Sequence, residues 1–214
     1  SDEAIFSQYF DLQLRPAKKT YTTFGLRRDY HTTTGEYYTG RLTGSYKLNN
    51  NTKLRTNIGT SVRFPALYSL HHGNHLNNRT NLKAETGKSI DLGFDKFFPK
   101  KNINLSLTTF YLKYKNDIKG WKSNSGGVGE KFYSGGGNYA LDNTNSDTKS
   151  YGLEFQSEWR PKNNLSLSLG YTRTESRDGS TCDNPDATGG PGSNPCNDEM
   201  NVRVPRHQIN LSTT

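Results

Sequence analysis

The sequence predicts an all-β fold: an antiparallel up-and-down meander of about nine strands, forming part of a large transmembrane β-barrel. Only 30% of the 214 residues are apolar, yet 13 tyrosines and 10 phenylalanines are present. This composition suits a sheet with one polar and one apolar face. Polar and apolar residues alternate over long stretches, which is the period of a β-strand. Short turns also alternate with mostly long loops, as they do in outer-membrane barrels.

Four strands are predicted in the first part of the chain, at 9–15, 20–30, 37–47 and 52–62. The second of them is rich in β-branched and aromatic residues, which favour strands. In the fourth, alternation separates two faces. One face carries Leu54, Ile58 and Val62, and the other carries Lys53, Arg55, Asn57 and Ser61.

Five further strands are predicted at 89–98, 103–118, 150–160, 165–174 and 202–214. Alternation blurs in the sixth strand, where Phe110 and Tyr111 are adjacent. This predicts either a β-bulge or an aromatic girdle at a membrane boundary. Pro205 interrupts the last strand, because proline cannot donate a hydrogen bond to a neighbouring strand.

The connections differ between the two ends of the predicted sheet. Tight turns are expected at 16–19, 48–51, 99–102 and 161–164, and loops at 31–36, 63–88, 119–148 and 175–201. Lipid supplies no hydrogen bonds, so a membrane sheet pairs its backbone fully and closes. The alternative is a soluble β-sandwich, a binding or adhesive module, although sandwich strands usually have only about 5–6 residues.

The formal net charge is +8, but the basic residues are scattered and form no helix or stripe. We therefore predict no nucleic-acid partner. No apolar run approaches the roughly 20 residues of a membrane-spanning helix, and no signal peptide is recognisable. The polar start and the strand-like end lead us to expect a piece of a longer chain.

Two cysteines, Cys182 and Cys196, lie in a segment rich in glycine, proline, asparagine and aspartate. A disulfide between them would stabilise this loop by about 3 kcal/mol. It would also indicate an oxidising compartment such as the periplasm or the cell surface. The alternative is a pair of unrelated thiols.

Four segments in this order resemble the barrel of TonB-dependent outer-membrane receptors. They are Gly25–Tyr30, Gly59–Ala66, Asn81–Glu85 followed by Asp91–Gly93, and Gly152–Glu154. The family has a G-x-R-Y-D strand, an F-R-A-P-type box, an N-P-N-L-K-P-E box leading into an E-x-G strand, and a G-x-E strand. This chain departs from the pattern with Arg63-Phe-Pro-Ala66 in the first box and with neither proline in the second.

The resemblance implies a barrel of about 22 strands with a plug inside. Residues 1–214 would then be a fragment of the barrel domain, without the plug and the remaining strands. It implies a bacterial outer-membrane location, lipid contact and coupling to the TonB complex through the plug. It further implies import of a small molecule, a ferric siderophore or cobalamin, with haem or a transition metal (zinc or copper) as alternatives. Such a receptor is not an enzyme.

Three histidines in the 63–88 loop are candidate ligands, namely His71, His72 and His75. In haem receptors of the family a histidine in this loop ligates the iron, so a haem or metal chelate is a possible transported ligand rather than a resident cofactor. Imidazoles also suit zinc or copper. The alternative is a set of polar residues lining a wet mouth.

Four aromatic residues in the glycine-rich loop are candidates for stacking on a flat or apolar ligand. They are Trp121, Phe132, Tyr133 and Tyr139. The alternative is an extracellular loop with incidental aromatic residues. A calcium site among Asp178, Asp183, Asp186 and Asp198 is a weaker candidate, because these residues lack a regular ligand spacing.

The remaining alternative is an outer-membrane enzyme, for example a phospholipase barrel. It would need a Ser/His/Asn constellation on one outer strand, and none is recognisable in the sequence. Phosphate-loop, zinc-hydrolase and nucleophile-elbow motifs are also absent from it. We therefore predict no catalytic residues.

Overall fold

The structure is a computed structural model that describes residues 3–66, 82–123, 139–143, 147–162, 164–178, 199–200 and 204–214. Most of these residues lie in antiparallel strands. The strands are β1 (Ile5–Ala17), β2 (Thr20–His31), β3 (Gly35–Asn49), β4 (Thr52–Arg63), β5 (Glu85–Phe98), β6 (Ile103–Lys115), β7 (Ile118–Ser123), β8 (Tyr139–Asn143), β9 (Thr148–Lys162), β10 (Leu165–Asp178), β11 (Glu199–Met200) and β12 (His207–Thr213). The described residues contain no helix long and apolar enough to cross a membrane.

Ten strands form one sheet, and almost every strand pairs with its neighbour in sequence. The order is β1-β2-β3-β4-β5-β6-β9-β10-β11, with β12 also paired to β10. The strands β7 and β8 form a separate two-stranded hairpin between β6 and β9. The predicted antiparallel meander is therefore confirmed. The β-sandwich alternative is wrong, because the long strands form one continuous sheet instead of two packed sheets.

Most strands extend further than the sequence pattern predicted, whereas the strands predicted at 103–118 and 202–214 are shorter, as β6 and β12. The strand β5 begins at Glu85 and β9 at Thr148, because their polar first residues still pair with β4, β6 and β10. The loop predicted at 31–36 is present but shorter, a turn over residues 32–34, since His31 is opposite Gly35. Gly35 has a φ of 90°, a conformation that glycine adopts without strain.

The structure excludes one of the two explanations of the aromatic pair in β6. Pairing with β5 and β9 is unshifted along the whole strand, so the predicted bulge is wrong. Phe110 is opposite Gly152, and the missing side chain leaves space for its ring. Tyr111 is opposite Tyr151 on the other face, and both are about two-fifths exposed. The girdle explanation stays a prediction.

One face of the sheet is apolar and exposed. Its members include Leu12, Leu26, Leu42, Ile58, Leu92, Leu153 and Leu211. Among the described residues, the buried hydrophobic side chains are only those of Leu82 and Ala84. Backbone pairing and cross-strand contacts therefore hold this sheet together, with little help from a core. We call the two sides the apolar face and the polar face.

Candidate functional site

Most of the predicted site residues lie outside the described part of the chain. These are His71, His72, His75, Phe132, Tyr133, Cys182 and Cys196, together with Asp183, Asp186 and Asp198. Their roles, including the disulfide, stay predictions. The other two aromatic candidates lie in the β7–β8 hairpin, where the predicted loop has regular structure. The backbone of Trp121 is opposite Leu141, and that of Tyr139 is opposite Ser123.

At the long-loop end of the sheet, polar and aromatic side chains hold the bases of the loops. We call this set the loop-base junction. Its members are His31, Tyr37, Phe64, Glu85, Asp117, Asn143 and Thr148. The junction lies at the bases of the 63–88 and 119–148 loops, which carry the ligand-binding residues predicted from the sequence.

The start of the 64–84 connection packs on the β2–β3 hairpin. The ring of Phe64 stacks on His31 with centroids 4.9 Å apart and meets Tyr37 edge-on at 5.5 Å. His31 is only 3% exposed. Its Nδ1 accepts hydrogen bonds from the backbone N–H groups of Thr33 and Thr34, at 3.1 and 3.2 Å. The histidine therefore fixes its own turn while it supports the connection.

The end of the same connection is held by the same hairpin. The backbone N–H of Ala84 donates to the hydroxyl of Tyr37 at 3.2 Å. Leu82 and Ala84 are buried, at 6% and 0% exposure. Tyr37 therefore contacts both ends of the connection, through its ring at Phe64 and through its hydroxyl at Ala84.

Asn143 joins the base of the β7–β8 hairpin to this connection. Its Oδ1 accepts from the backbone N–H of Lys83 at 2.7 Å, and its Nδ2 donates to the Lys83 carbonyl at 2.9 Å. The same Nδ2 also donates to the carbonyl of Asn116 at 2.6 Å. The side-chain amide of Asn143 thus makes hydrogen bonds to the backbone of two separate segments, as a neighbouring strand would.

Two carboxylates complete the junction. Glu85 is 8% exposed; its Oε1 accepts from the backbone N–H of Ile118 at 2.9 Å, and its Oε2 pairs with Arg63 at 3.2 Å. Asp117 accepts from the hydroxyl of Thr148 at 2.6 Å. These groups are occupied with holding main chain and neighbouring side chains. They suit a role in positioning loops better than a role in chemistry.

A second polar cluster lies on the polar face, closer to the short turns. The Nε of Arg55 contacts both carboxylate oxygens of Asp95 at 3.3 and 3.2 Å. Its Nη2 donates to the hydroxyls of Ser106 and Thr108 at 2.9 and 2.7 Å. Lys53 also pairs with Asp95, at 3.2 Å. An open recess of about 480 Å³ adjoins the cluster.

The described residues contain no group of three or more histidine, cysteine, aspartate or glutamate side chains placed to hold a metal ion. The polar face instead presents paired charges and hydroxyls. This surface can form hydrogen bonds with a ligand or with another part of the protein.

Sequence reasoning missed the loop-base junction, although part of its signal was present. Residues 82–84 belong to a segment that carries the family resemblance, and they also alternate between apolar and polar side chains. Their alternation was readable: Leu82 and Ala84 are buried while Lys83 is exposed. The roles of Asn143 and Tyr37 had no such signal, because their partners are backbone groups 60 and 47 positions away.

Comparison with known proteins extends these observations. A curated relative, the probable TonB-dependent siderophore receptor PirA of Acinetobacter baumannii, is 28% identical over 134 residues, covering 55% of this chain and 18% of the relative. The crystal structure of the siderophore receptor PirA from Pseudomonas aeruginosa superposes with a TM-score of 0.66 at 23% identity, covering 83% of this chain and 34% of that one.

A second solved structure, the ferric enterobactin receptor PfeA of P. aeruginosa crystallised with enterobactin, has a TM-score of 0.66 at 26% identity, covering 80% of this chain and 27% of that one. This chain therefore spans about a third or less of the length of these proteins. The family described as TonB dependent receptor-like, beta-barrel matches residues 1–214. The resemblance found in the sequence is confirmed, and the chain belongs to the TonB-dependent receptor-like β-barrel family.

Proposed function

We propose that this chain forms part of the barrel wall and ligand-binding mouth of a bacterial outer-membrane receptor that imports a ferric siderophore. The observation that carries the proposal is the family match over the whole chain. Relatives named as siderophore and enterobactin receptors support the choice of ligand. They give no comparable support for cobalamin.

The geometry supports a binding role for the long-loop end. Main-chain groups of the 64–84 connection and of the β7–β8 hairpin are held by Tyr37, Glu85 and Asn143. Loops with fixed bases lose less conformational entropy when they close on a ligand. The hairpin carries Trp121 and Tyr139, and aromatic rings of this kind can stack on the catechol rings of a siderophore.

The remaining features of the family enter the proposal in the same way. Residues 1–214 would be one part of a larger barrel domain, because the chain covers 18% to 34% of the relatives compared above. A plug domain elsewhere in the protein would contact the TonB complex, and outer-membrane lipid would cover the apolar face. The protein would transport its ligand and would not act as an enzyme.

An uptake experiment tests the proposal. The full-length protein would be expressed in cells that lack their own receptors for these cargoes. Iron-limited growth would be scored with a ferric catecholate siderophore or haem, and cobalamin-dependent growth would be scored in a cobalamin auxotroph. Only the siderophore should rescue growth. Asn143→Ala should reduce siderophore uptake, because it releases the bases of two loops, whereas the matched change Asn104→Ala should not. Rescue by cobalamin or haem alone would overturn the ligand assignment.

The histidines carry a second candidate, a haem, zinc or copper receptor of the same family. His71, His72 and His75 lie within six residues of one connection, and imidazole is a suitable ligand for all three cargoes. Replacing the three histidines by alanine should abolish growth on haem if this candidate is correct. Under the siderophore proposal the same variant should retain siderophore uptake.

A further inference from the structure

The end of the sheet at the short turns carries the excess positive charge of the chain. We call it the short-turn end; it comprises residues 14–20, 46–53, 95–102 and 158–165. These residues include ten lysines and arginines but only two carboxylates, and ten less two gives a formal charge of +8. The formal net charge of all 214 residues is also +8. The rest of the chain is therefore neutral on balance.

At the short-turn end, two cations lie against the ring of Tyr21. The Cζ of Arg15 is 5.0 Å from the ring centroid, and the Nζ of Lys47 is 5.4 Å from it, both within the range of a cation–π contact. Lys47 is opposite Lys53, which shares the polar face with Arg55 because side chains two positions apart lie on the same side of a strand. We call Arg15, Tyr21, Lys47 and Lys53 the cation cluster.

The cation cluster lacks the carboxylates that other cations of the polar face possess. Three arginines closer to the long loops each pair with a carboxylate: Arg27 at 2.9 Å, Arg41 at 3.0 Å and Arg63 at 3.2 Å. Within the described part of the chain, neither Arg15 nor Lys47 has an ion-pair partner. Lys53 shares the carboxylate of Asp95 with Arg55. Among the described residues, the charge of the cluster is therefore neutralised only in part.

The cluster borders an open recess of about 330 Å³ on the polar face. Tyr21, Lys53 and Arg55 line this recess together with several hydroxyl groups. Its lining carboxylate, Asp91, accepts a hydrogen bond from a neighbouring asparagine side chain at 3.0 Å. Lysines directly opposite one another, as Lys47 and Lys53 are, repel and destabilise their strand pair. An anion in the recess would relieve that repulsion, and an aromatic anion could also contact the tyrosine ring.

We propose that the cation cluster is an exit subsite that binds the anionic ferric catecholate complex at the short-turn end of the inner wall. This inference rests on the proposed function, in which the polar face lines the barrel interior and the long loops form the mouth. A ferric catecholate complex carries both negative charge and aromatic rings, so it matches the cations and the tyrosine of the cluster. Lipid does not reach this site, because the cluster lies on the polar face.

The test separates binding at the mouth from transport. Cells that express the full-length receptor receive ferric enterobactin labelled with radioactive iron. Binding is measured after de-energising the cells with a protonophore, and the initial uptake rate is measured in energised cells. The double variant Arg15→Gln/Lys47→Gln should lower the uptake rate about tenfold, because two charge-assisted contacts are lost, while the Kd at the mouth stays within about twofold of the parent. The matched variant Lys18→Gln/Lys100→Gln removes two charges from the turn tips of the same end and should retain uptake.

Two further measurements distinguish the ferric complex from a carboxylate elsewhere in the protein. The charge-preserving variant Arg15→Lys/Lys47→Arg should take up the complex like the parent, since guanidinium and ammonium groups both bind oxyanions. The unfolding temperature of the ligand-free receptor is followed by heat-modifiable migration on a gel. Arg15→Gln/Lys47→Gln should leave this temperature unchanged or raise it, because the repulsion between Lys47 and Lys53 is removed. A carboxylate bound to the cluster within the protein would instead make it fall.

Three outcomes would overturn the inference: equal uptake by the two glutamine variants, a loss of affinity at the mouth as large as the loss of uptake, or a fall in the unfolding temperature of the ligand-free Arg15→Gln/Lys47→Gln receptor. Each of these would refute the exit subsite alone, because the parent receptor would still import the siderophore. A parent receptor that neither binds nor takes up ferric enterobactin would refute the proposed function itself.

Discussion

Gly152 lies where two neighbours leave no room for a side chain. A Cβ atom at this position would overlap the carbonyl oxygen of Arg173 on one side. On the other side it would lie 2.7 Å from the Cζ of Phe110. The first of these contacts is with backbone, which cannot rotate away. The glycine of the Gly152-Leu-Glu154 segment is therefore required by packing against β6 and β10.

We predict that Gly152→Ala destabilises the full-length protein by about 1–3 kcal/mol, the usual effect of overpacking. Gly170→Ala is the matched control, because a Cβ there would meet its nearest neighbour, Asn210, at an ordinary 3.7 Å. The midpoint of heat-modifiable gel migration reports the difference. A Gly170→Ala loss as large as that of Gly152→Ala would contradict the packing explanation.

Arg55 connects three neighbouring strands through one guanidinium group. Its partners are Asp95 in β5 and Ser106 and Thr108 in β6. Lys53 shares the carboxylate of Asp95 but contacts it through one ammonium group. Guanidinium geometry, and not charge alone, should therefore determine the contribution of this cluster to stability.

We expect Arg55→Met to lower the free energy of unfolding by about 1.5–3 kcal/mol, the range for hydrogen bonds to charged groups. Lys53→Met should cost less than about 1 kcal/mol, because its ion pair is close to solvent. Urea unfolding of the two variants measures both values. The explanation fails if the lysine change is the more damaging of the two.

At the scale of elements, the loop-base junction shows why the connections begin and end where they do. Tyr37 belongs to β3, yet it holds the last residues before β5. Asn143 ends β8, yet it bonds to the residue that precedes Ala84. Each loop base is therefore fixed by an element to which it is not adjacent in sequence. This explains why a local pattern could not reveal it.

Tyr37→Phe should loosen the end of the 64–84 connection, because the buried N–H of Ala84 loses its acceptor at a cost of about 1–3 kcal/mol. Limited trypsin digestion should then cleave faster at Arg79 and Lys83. Tyr38→Phe is the control, since Tyr38 is 70% exposed and its hydroxyl donates to the side chain of Glu36, away from the connection. Equal cleavage rates in the two variants would show that the Tyr37 hydroxyl does not hold the connection.

The strands were largely predictable, and the reason is physical. A sheet with one apolar and one polar face imposes a period of two on every strand, as Leu54 and Ile58 alternate with Arg55 and Asn57 in β4. The ends of β5 and β9 were not predictable, because Glu85 and Thr148 pair with neighbours without contributing an apolar residue. The β7–β8 hairpin was missed because it pairs outside the main sheet and follows no such period.

The candidate site was predicted less completely. The expected location, the long-loop end, is where the junction holds the loop bases. The residues chosen there were histidines and aromatics, selected by chemical type. The residues that hold the loops, such as Tyr37 and Asn143, bind backbone groups. Almost every amino acid has the same backbone groups, so the sequence does not show which positions these side chains bind.

At the scale of the molecule, the apolar face is the feature that separates a membrane wall from a water-soluble sheet. Leu92 is 55% exposed and Leu153 is 38% exposed on that face. Large exposed apolar areas of this kind need a covering surface. Lipid is the cover that the proposed function assigns to this face.

Introducing an arginine on one face of the sheet at a time tests whether lipid contacts the apolar face. Leu92→Arg should destabilise the receptor in a bilayer by about 2–4 kcal/mol, the cost of a cation on the lipid-facing side near the midplane. Gln156→Arg adds the same charge on the polar face and should be tolerated. Reversible unfolding in vesicles compares the two, and tolerance of arginine at position 92 would argue against lipid contact there.

The loop-base junction bears on the exchange of loops between related proteins. The hydroxyl of Tyr37, the carboxylate of Glu85 and the amide of Asn143 bind backbone atoms of positions 84, 118 and 83. Any amino acid except proline supplies those N–H groups. The segments beyond them can therefore diversify, or be grafted from a relative, while the same anchors continue to receive them. Under the proposed function, a receptor built in this way would be able to acquire a new cargo by recombination at its loops without a change in its wall.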